Sequence, residues 1–234
     1  MILLVTGATG IAAAAAELAR AHGSTVFTAA LSGPADLAVD LTEPGAADEA
    51  VRLCVHRYGR LDAVLACAGA SGRKWGDGPL HECTDEGWSR TIDVNLTSAF
   101  RTCRAAVRRM LEQGGGGAIV LVGSVLALSP KAPEFSTHAY AAAKGGLLSL
   151  SRSMAAHYAG DRIRVNYLAP GLTRTPMTER TQADPAAMAF ARAKQPLSGG
   201  MLEADEVARA AWYLLTAESV TGAVLGVDGG WSVS

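Results

Sequence analysis

Two side chains of opposite acid–base character stand four residues apart in the stretch Tyr140-Ala-Ala-Ala-Lys144. On a helix, residues at this spacing share one face, so the phenol and the ammonium would meet the same reacting group. A tyrosine has a reference pKa of about 10, and a nearby cation favours its phenolate, which makes proton exchange easier near neutral pH. The pair alone also fits a chance spacing on an alanine-rich helix, so the other motifs have to decide.

A glycine-rich turn follows the first apolar run. Residues 1–6 predict a strand, Gly7-Ala-Thr-Gly10 predicts a tight turn, and residues 11–22 predict a helix that ends at Gly23. Glycines at such a turn let a backbone approach a pyrophosphate, and the helix N-terminus offers free N–H groups with a partial positive charge. Taken alone, the turn fits either dinucleotide binding or a structural connection.

Two more polar residues occupy positions where chemistry is plausible. Asn95 lies within a long helical region, where asparagine is unfavourable unless its side chain binds something specific. Ser124 follows an apolar strand and therefore lies at the carboxyl edge of a parallel sheet, where ligands bind. A solvent-facing asparagine and an ordinary loop serine are the alternatives.

Strands and helices alternate along the whole chain, which predicts a doubly wound parallel sheet with right-handed crossovers. We therefore expect an α/β Rossmann-type fold of three αβα layers, with residues 1–234 in a single domain. The helix between the second and third strands is missing, and residues 172–202 are expected to be an irregular substrate loop. Further strands are expected at 25–30, 37–39, 63–66, 118–122, 163–168 and 223–227, and helices at 44–58, 84–113, 139–159 and 203–216.

The composition favours a small-molecule partner. The net charge is −1, 18% of residues are charged and no basic run occurs, so nothing favours nucleic acid or an anionic membrane. The strand at the N-terminus leaves no room for a signal peptide and no apolar stretch is long enough to span a bilayer, which predicts a cytoplasmic protein. Four cysteines lack metal-ligand spacing and are expected to be reduced thiols, namely Cys54, Cys67, Cys83 and Cys103.

In chain order, Gly7, Asn95, Ser124, Tyr140 and Lys144 make the sequence resemble the short-chain dehydrogenase/reductase family. Each motif is weak, but their joint order is specific, and the resemblance covers nearly the whole chain. The further motifs that carry it are Thr6-Gly7, Asp40-Leu41, Ala68-Gly69, Pro170-Gly171 with Thr175, and Val227-Asp228-Gly229-Gly230.

The resemblance implies hydride transfer between a nicotinamide cofactor and a carbonyl or secondary alcohol. Tyr140 would exchange a proton with the reacting oxygen, and Ser124 would orient that oxygen. Lys144 would bind the nicotinamide ribose and lower the Tyr140 pKa. Asn95 would hold a water that links Lys144 to solvent.

The same resemblance implies a binding site for NAD or NADP, and no metal. The turn from Gly7 to Ile11 would carry the pyrophosphate, and Leu172 together with Thr173 and Thr175 would meet the nicotinamide amide. Adenine and its ribose would lie against the motifs after the third and fourth strands. The implied cofactor-binding residues are Gly7, Thr9, Gly10, Ile11, Asp40, Leu41, Ala68, Gly69, Tyr140, Lys144, Pro170, Gly171, Thr173 and Thr175.

Two departures from the family pattern affect the cofactor side of this predicted site. The glycine turn is one residue short, and Ala12 or Ala13 stands where its last glycine would be, so a methyl group narrows the gap. Cys67 replaces the asparagine of the Asn-Ala-Gly motif, which removes a structural hydrogen bond.

Two further departures concern selectivity. Ser124 and Tyr140 are 140 − 124 = 16 residues apart, a longer gap than is usual in the family, which predicts an extra loop around residues 130–137 at the substrate mouth. Residues 29–32 contain neither the acid that favours NAD nor an arginine for a 2′-phosphate, and the absence of the acid slightly favours NADP.

We therefore expect an NAD(P)-dependent oxidoreductase for a small to medium, apolar carbonyl or alcohol substrate. A non-catalytic dinucleotide-binding sensor or partner protein is one alternative, and an imine or tailoring reductase is another. The resemblance also implies a homotetramer or homodimer, in which the helices that carry Asn95 and Tyr140 pack across a two-fold axis. The guessed pocket lining is Val125, Leu126, Phe135, Met177 and Met188.

Overall fold

A seven-stranded parallel sheet forms the centre of the protein in a computed structural model that describes residues 1–131, 133 and 135–234. The strand order is β3-β2-β1-β4-β5-β6-β7, with every neighbouring pair parallel. The strands are β1 Ile2–Thr6, β2 Thr25–Ala30, β3 Leu37–Ala38, β4 Ala63–Ala66, β5 Gly117–Val122, β6 Ile163–Pro170 and β7 Val224–Val227.

Helices cover both faces of this sheet, which confirms the predicted three-layer fold. Alanines at 12, 15, 16 and 19 bury one side of α1 and let it pack closely beside α8, while α2, α4 and α5 cover the opposite face. The helices are α1 Ile11–Ala21, α2 Ala46–Tyr58, α3 Asp85–Ile92, α4 Ser98–Gln113, α5 His138–Tyr158, α6 Glu179–Gln182, α7 Pro185–Lys194 and α8 Ala204–Thr216.

The topology places the candidate site. Strand order reverses between β1 and β4, so the connections that leave their carboxyl ends diverge to opposite faces and open a crevice. The predicted loop between β2 and β3 is also present, because no helix occurs between Ala30 and Leu37.

Three local expectations need correction. Helix α2 begins at Ala46 rather than at Pro44, because Gly45 adopts a left-handed conformation that ends the preceding turn (φ 84°). The long helix predicted at 84–113 is interrupted by a π-helical turn over Asp93–Thr97. Residues 172–202 are less irregular than expected, since they contain α6 and the ten-residue α7, which Asp184 caps.

The expected extra loop at 130–137 includes residues 132 and 134, which lie outside the described part of the chain. All four cysteines are free thiols. Across the described ranges, no helix is both long and apolar enough to cross a bilayer.

Candidate active site

A cleft of about 1610 Å³ runs along the carboxyl edge of the sheet. It is larger than a typical site for one small ligand, which occupies roughly 300–1,000 Å³, and therefore has room for a dinucleotide together with a substrate. Of the residues predicted to act in catalysis or cofactor binding, all but Asn95 line this cleft.

Ser124, Tyr140 and Lys144 converge in the cleft. Lys144 is buried in the first turns of α5, with its Nζ 5.6 Å from the centre of the Tyr140 ring. The Lys144 ammonium donates to the Val122 carbonyl at 2.9 Å. Ser124 Oγ accepts from the Leu126 N–H at 3.1 Å, which leaves the Ser124 hydroxyl proton available to the Tyr140 phenol.

Burial controls the acid–base state of this cluster. Desolvation raises the pKa of Tyr140, and the hydrogen bond from Ser124 opposes the rise without cancelling it. Desolvation also lowers the pKa of Lys144 to about 8. In the chain alone, burial therefore dominates and Tyr140 is a protonated phenol at neutral pH. The lowering of the Tyr140 pKa by Lys144 stays a prediction.

Asn95 lies beneath the cleft and is fully buried, so the solvent-facing alternative is wrong. Its amide donates to the carbonyls of Ala70 and Thr91 and accepts from the Ala70 N–H, at 2.9, 3.0 and 3.2 Å. A Cβ at Gly69 would lie 2.7 Å from Asn95 Oδ1 and 3.3 Å from Lys144 Nζ, so this glycine lets both side chains approach the loop after β4. The water between Asn95 and Lys144 stays a prediction.

The shortened glycine turn brings the N-terminus of α1 to the cleft. Gly10 has φ 53° and ψ −125°, a conformation that suits only glycine, and it caps α1 without a side-chain hydrogen bond. The first N–H groups of α1 therefore have no side-chain cap at the cleft. The Ala12 methyl lies beside Gly7, because a Cβ built at Gly7 would be only 3.1 Å from it, and Ala12 also lines the cleft.

The residues expected to contact the adenosine of the cofactor do not distinguish NAD from NADP. The Asp40 carboxylate accepts from the N–H and the hydroxyl of Thr42 at 2.8 and 2.7 Å, so it stabilises the turn in which it lies. Leu41 is buried beside it. The end of β2 contributes Ala30, Leu31 and Ser32 to the cleft, with no charge that would select either cofactor.

Cys67 lies next to Lys144 at the start of the loop after β4. Burial raises the pKa of its thiol to about 11, against the opposing effect of the Lys144 charge, so the thiol stays neutral at physiological pH. The Thr6 hydroxyl accepts from the N–H groups of Cys67 and Ala68 at 3.0 and 3.1 Å. Thr6 thereby holds this loop in place although the family's asparagine is absent.

Gln195, which no sequence motif singled out, holds the segment after β6 in place. Gln195 is fully buried, and its amide accepts from the Leu172 N–H at 2.5 Å and donates to the Leu172 carbonyl at 3.0 Å. Gln195 thereby binds both backbone groups of Leu172, and Leu172 itself lines the cleft. The contact of Leu172 with the nicotinamide amide stays a prediction. Thr173 and Thr175 remain beside the cleft.

Aromatic side chains close the other end of the cleft. Phe135 and Trp231 meet edge to face with ring centres 5.2 Å apart, and Phe190 of α7 packs on both. Of the guessed lining residues, Val125, Leu126, Phe135 and Met177 line the cleft, whereas Met188 lies outside the described lining. Trp231 was missed because it comes from the C-terminal tail.

Asp77 was also missed, and it holds the N-terminus of the helix that carries Tyr140. Its buried carboxylate accepts from the backbone N–H groups of Ala139 and Tyr140, both at 3.0 Å. The two partners are 62 and 63 residues away from Asp77 in sequence, so no local spacing predicts these contacts.

Replacing Asp77 by Ala is expected to lower the free energy of unfolding by about 2 kcal/mol, because two buried N–H groups lose their acceptor. Urea denaturation would measure the change. Asp184→Ala is the matched control, since Asp184 caps the more exposed α7 in the same way and should cost only about 0.5–1 kcal/mol. Equal losses in the two variants would contradict a special role for Asp77.

Comparisons with known proteins agree with this geometry. The family described as "Enoyl-(Acyl carrier protein) reductase" matches residues 5–232. The chain is 35% identical to a cis-4-hydroxycyclohexanecarboxylate dehydrogenase from Sinomonas cyclohexanicum, over 99% of this chain and 96% of that protein. It is 33% identical to a 3-oxoacyl-[acyl-carrier-protein] reductase from Thermotoga maritima, over 98% and 96%. A crystal structure of carveol dehydrogenase from Mycobacterium avium in complex with NAD superposes with a TM-score of 0.90 at 26% identity, over 100% and 98%.

Proposed function

Because this chain belongs to the short-chain dehydrogenase/reductase family and is an oxidoreductase acting on CH–OH or C=O groups, we propose that Tyr140 is its proton donor and acceptor. The observation that carries the proposal is the convergence of Ser124, Tyr140 and Lys144 in one cleft large enough for cofactor and substrate. In the direction of reduction, the protonated Tyr140 gives its proton to the carbonyl oxygen.

Ser124 and Lys144 support this proton transfer. The Ser124 hydroxyl acts on Tyr140 in the free chain, where it opposes the rise of the Tyr140 pKa, and would donate to the substrate oxygen once that oxygen lies between them. Lys144 would hydrogen-bond the nicotinamide ribose. Asn95 fixes the loop beside Lys144 and, we propose, also holds the water that returns a proton to the site.

The cleft fits NAD or NADP, which when bound supplies or accepts the hydride. A Cβ would crowd neighbouring residues of the cleft at three glycines, Gly7, Gly10 and Gly69. The N-terminus of α1 suits a pyrophosphate. We propose a small preference for NADP, because the end of β2 offers no acid to repel a 2′-phosphate.

Titration with NADH and with NADPH tests the cofactor site, since Trp75 and Trp231 line the cleft and their fluorescence should be quenched. Micromolar binding of one cofactor followed by turnover on a carbonyl panel supports the proposal. Tight binding without any turnover would instead favour a dinucleotide-binding sensor, and turnover on imines alone would favour a different reduction by the same residues.

We further propose that the substrate is an apolar ring or chain of small to medium size that bears one acidic group. The aromatic cluster of Phe135 and Trp231 suits the apolar part. At the mouth, Arg73 and Arg180 line the same cleft, and burial together with the neighbouring Arg180 charge lowers the Arg73 pKa. The Sinomonas relative is named for a hydroxylated ring that carries a carboxylate, which supports this substrate class.

Arg180→Ala is accordingly expected to raise KM for a cyclic hydroxy- or oxo-carboxylate about tenfold, because one charge-assisted contact is lost, while kcat changes little. The methyl ester of the same substrate should show no such change. Arg174→Ala is the matched control, since Arg174 pairs with Glu203 and does not belong to the described lining. An equal rise for acid and ester would contradict recognition of the carboxylate.

We propose a homotetramer or homodimer in the cytoplasm. Ala143 and Leu147 of α5 are buried within the monomer, whereas Ala142 and Phe100 of α4 remain exposed and available for a partner subunit. Light scattering that shows a monomer at micromolar concentration would refute the oligomer, and fractionation of cells that express the natural gene would test the location.

A further inference from the structure

Tyr167 lies on β6 directly behind the proposed catalytic residues and is fully buried. Its hydroxyl accepts from the backbone N–H of Ser124 at 3.1 Å and donates to the backbone carbonyl of Lys144 at 3.1 Å. One phenol thus joins the end of β5 to α5, the two elements that carry Ser124 and the Tyr140–Lys144 pair.

The chain makes room for this phenol at Gly123. A Cβ at that position would lie 1.8 Å from Cζ of Tyr167 and 2.0 Å from its hydroxyl oxygen. Gly123 has no positive φ, so backbone conformation does not require a glycine there. The space for the Tyr167 ring is the reason for the glycine, and the two residues form a matched pair.

We propose that Tyr167 is a positioning residue, which sets the separation between the Ser124 hydroxyl and the Tyr140 phenol. The inference rests on the proposed function of those two residues. Ser124 is held at two points, through its N–H by Tyr167 and through its Oγ by the N–H of Leu126. Lys144 is one helical turn after Tyr140, so the contact with its carbonyl fixes that turn of α5.

Tyr167→Phe removes one oxygen atom and leaves the ring packed under Gly123. The Ser124 N–H then loses its acceptor in a buried site and must shift toward another, which moves the hydroxyl of Ser124 relative to Tyr140. Because a misplacement of about 1 Å can cost on the order of 100-fold in rate, we expect kcat to fall about 10- to 100-fold. The Kd of the cofactor should change less than about twofold, since the glycine turn is untouched.

A double-mutant cycle distinguishes positioning from general destabilisation. In a Ser124→Ala background, Tyr167→Phe should lower kcat at least about fivefold less than it does in the wild type, because the Ser124 hydroxyl is gone and only the contact with α5 remains to be lost. An equal loss in both backgrounds would overturn the proposal, and so would a Tyr167→Phe enzyme with wild-type kcat. Tyr213→Phe, on the exposed side of α8, is the control and should leave kcat unchanged.

Failure of the proposed function has a different signature, because the wild-type protein itself would then show no turnover. Amide hydrogen exchange provides a measurement on the wild-type chain that requires neither turnover nor a folded variant. The Ser124 amide should exchange at least about 100-fold more slowly than an unprotected amide, as a hydrogen bond to a buried phenol requires. Exchange at the unprotected rate would show that the Tyr167 contact is not formed and would overturn the inference.

Discussion

Tyr140→Phe is expected to lower kcat by about 10³-fold while the Kd of the nicotinamide cofactor changes less than about threefold. The phenylalanine keeps the ring that packs beside Lys144 and loses only the oxygen that exchanges the proton. Because burial raises the pKa of Tyr140, this residue is the proton donor available in the cleft for reduction. Steady-state kinetics combined with fluorescence titration of the cofactor would measure both quantities.

Tyr158→Phe is a suitable control for this experiment, because Tyr158 is on the same helix but at its far end, against His157. It should retain wild-type kcat. A Tyr140→Phe enzyme with full turnover would remove Tyr140 from the mechanism. If the wild-type protein binds cofactor but turns over no carbonyl or alcohol, the result favours a dinucleotide-binding sensor, and the variant then gives no information about catalysis.

The parts of the site that the sequence predicts are those whose signal is local. Tyr140 and Lys144 share a helix face because of their four-residue spacing, and the glycine turn follows directly from its strand. The alternation of apolar runs and helical segments likewise sufficed to predict the parallel sheet and its missing helix, since each element is identified within about ten residues.

The supporting contacts were not predictable in the same way. Asp77 reaches Tyr140 across 63 residues, Gln195 reaches back 23 residues to Leu172, and Tyr167 meets Ser124 across 43. Each is a polar side chain whose role exists only after the sheet has brought distant segments together. Asn95 shows an intermediate case, because its unusual place in a helix signalled a specific partner but did not identify Ala70.

The structure shows which residues surround the two departures from the family pattern on the cofactor side of the site. The Ala12 methyl was expected to narrow the gap for the phosphates, and it lies beside Gly7, which has no side chain to crowd it. Cys67 was expected to weaken the loop after β4, yet Thr6 holds the backbone of that loop. Comparison with a family motif shows which side chain has been replaced. The structural consequence of the replacement depends on which neighbouring atoms make the contact instead.

Lys144 supplies the second large effect, which appears in the pH dependence of stability. Burial lowers its pKa to about 8 in the folded chain, from a model-compound value of 10.5. Between these two values the unfolded state binds more protons than the folded state, so the free energy of unfolding rises with pH. Below pH 8 both states are protonated and the full penalty of about 3 kcal/mol is present.

Urea denaturation at several pH values between 7 and 10.5 would measure this contribution against Lys144→Met. The wild-type protein should gain up to about 3 kcal/mol relative to the variant as pH rises from about 8 to 10.5. Other groups that titrate in this range cancel in the difference, and the neighbouring Cys67 and Tyr140 stay mostly protonated because burial raises both pKa values. A difference that does not change with pH would show that water solvates the Lys144 ammonium in the free chain.

The penalty at Lys144 has a functional counterpart. Within the described residues its buried ammonium makes one hydrogen bond, to the Val122 carbonyl, so it has further N–H donors for a ligand that brings oxygen atoms. Cofactor affinity in the wild-type protein is therefore expected to weaken as pH rises through about 8, and in Lys144→Met to be about 10- to 100-fold weaker at pH 7 without that pH dependence. A buried cation that destabilises the free chain and strengthens ligand binding is consistent with a site whose residues were retained for chemistry rather than for stability.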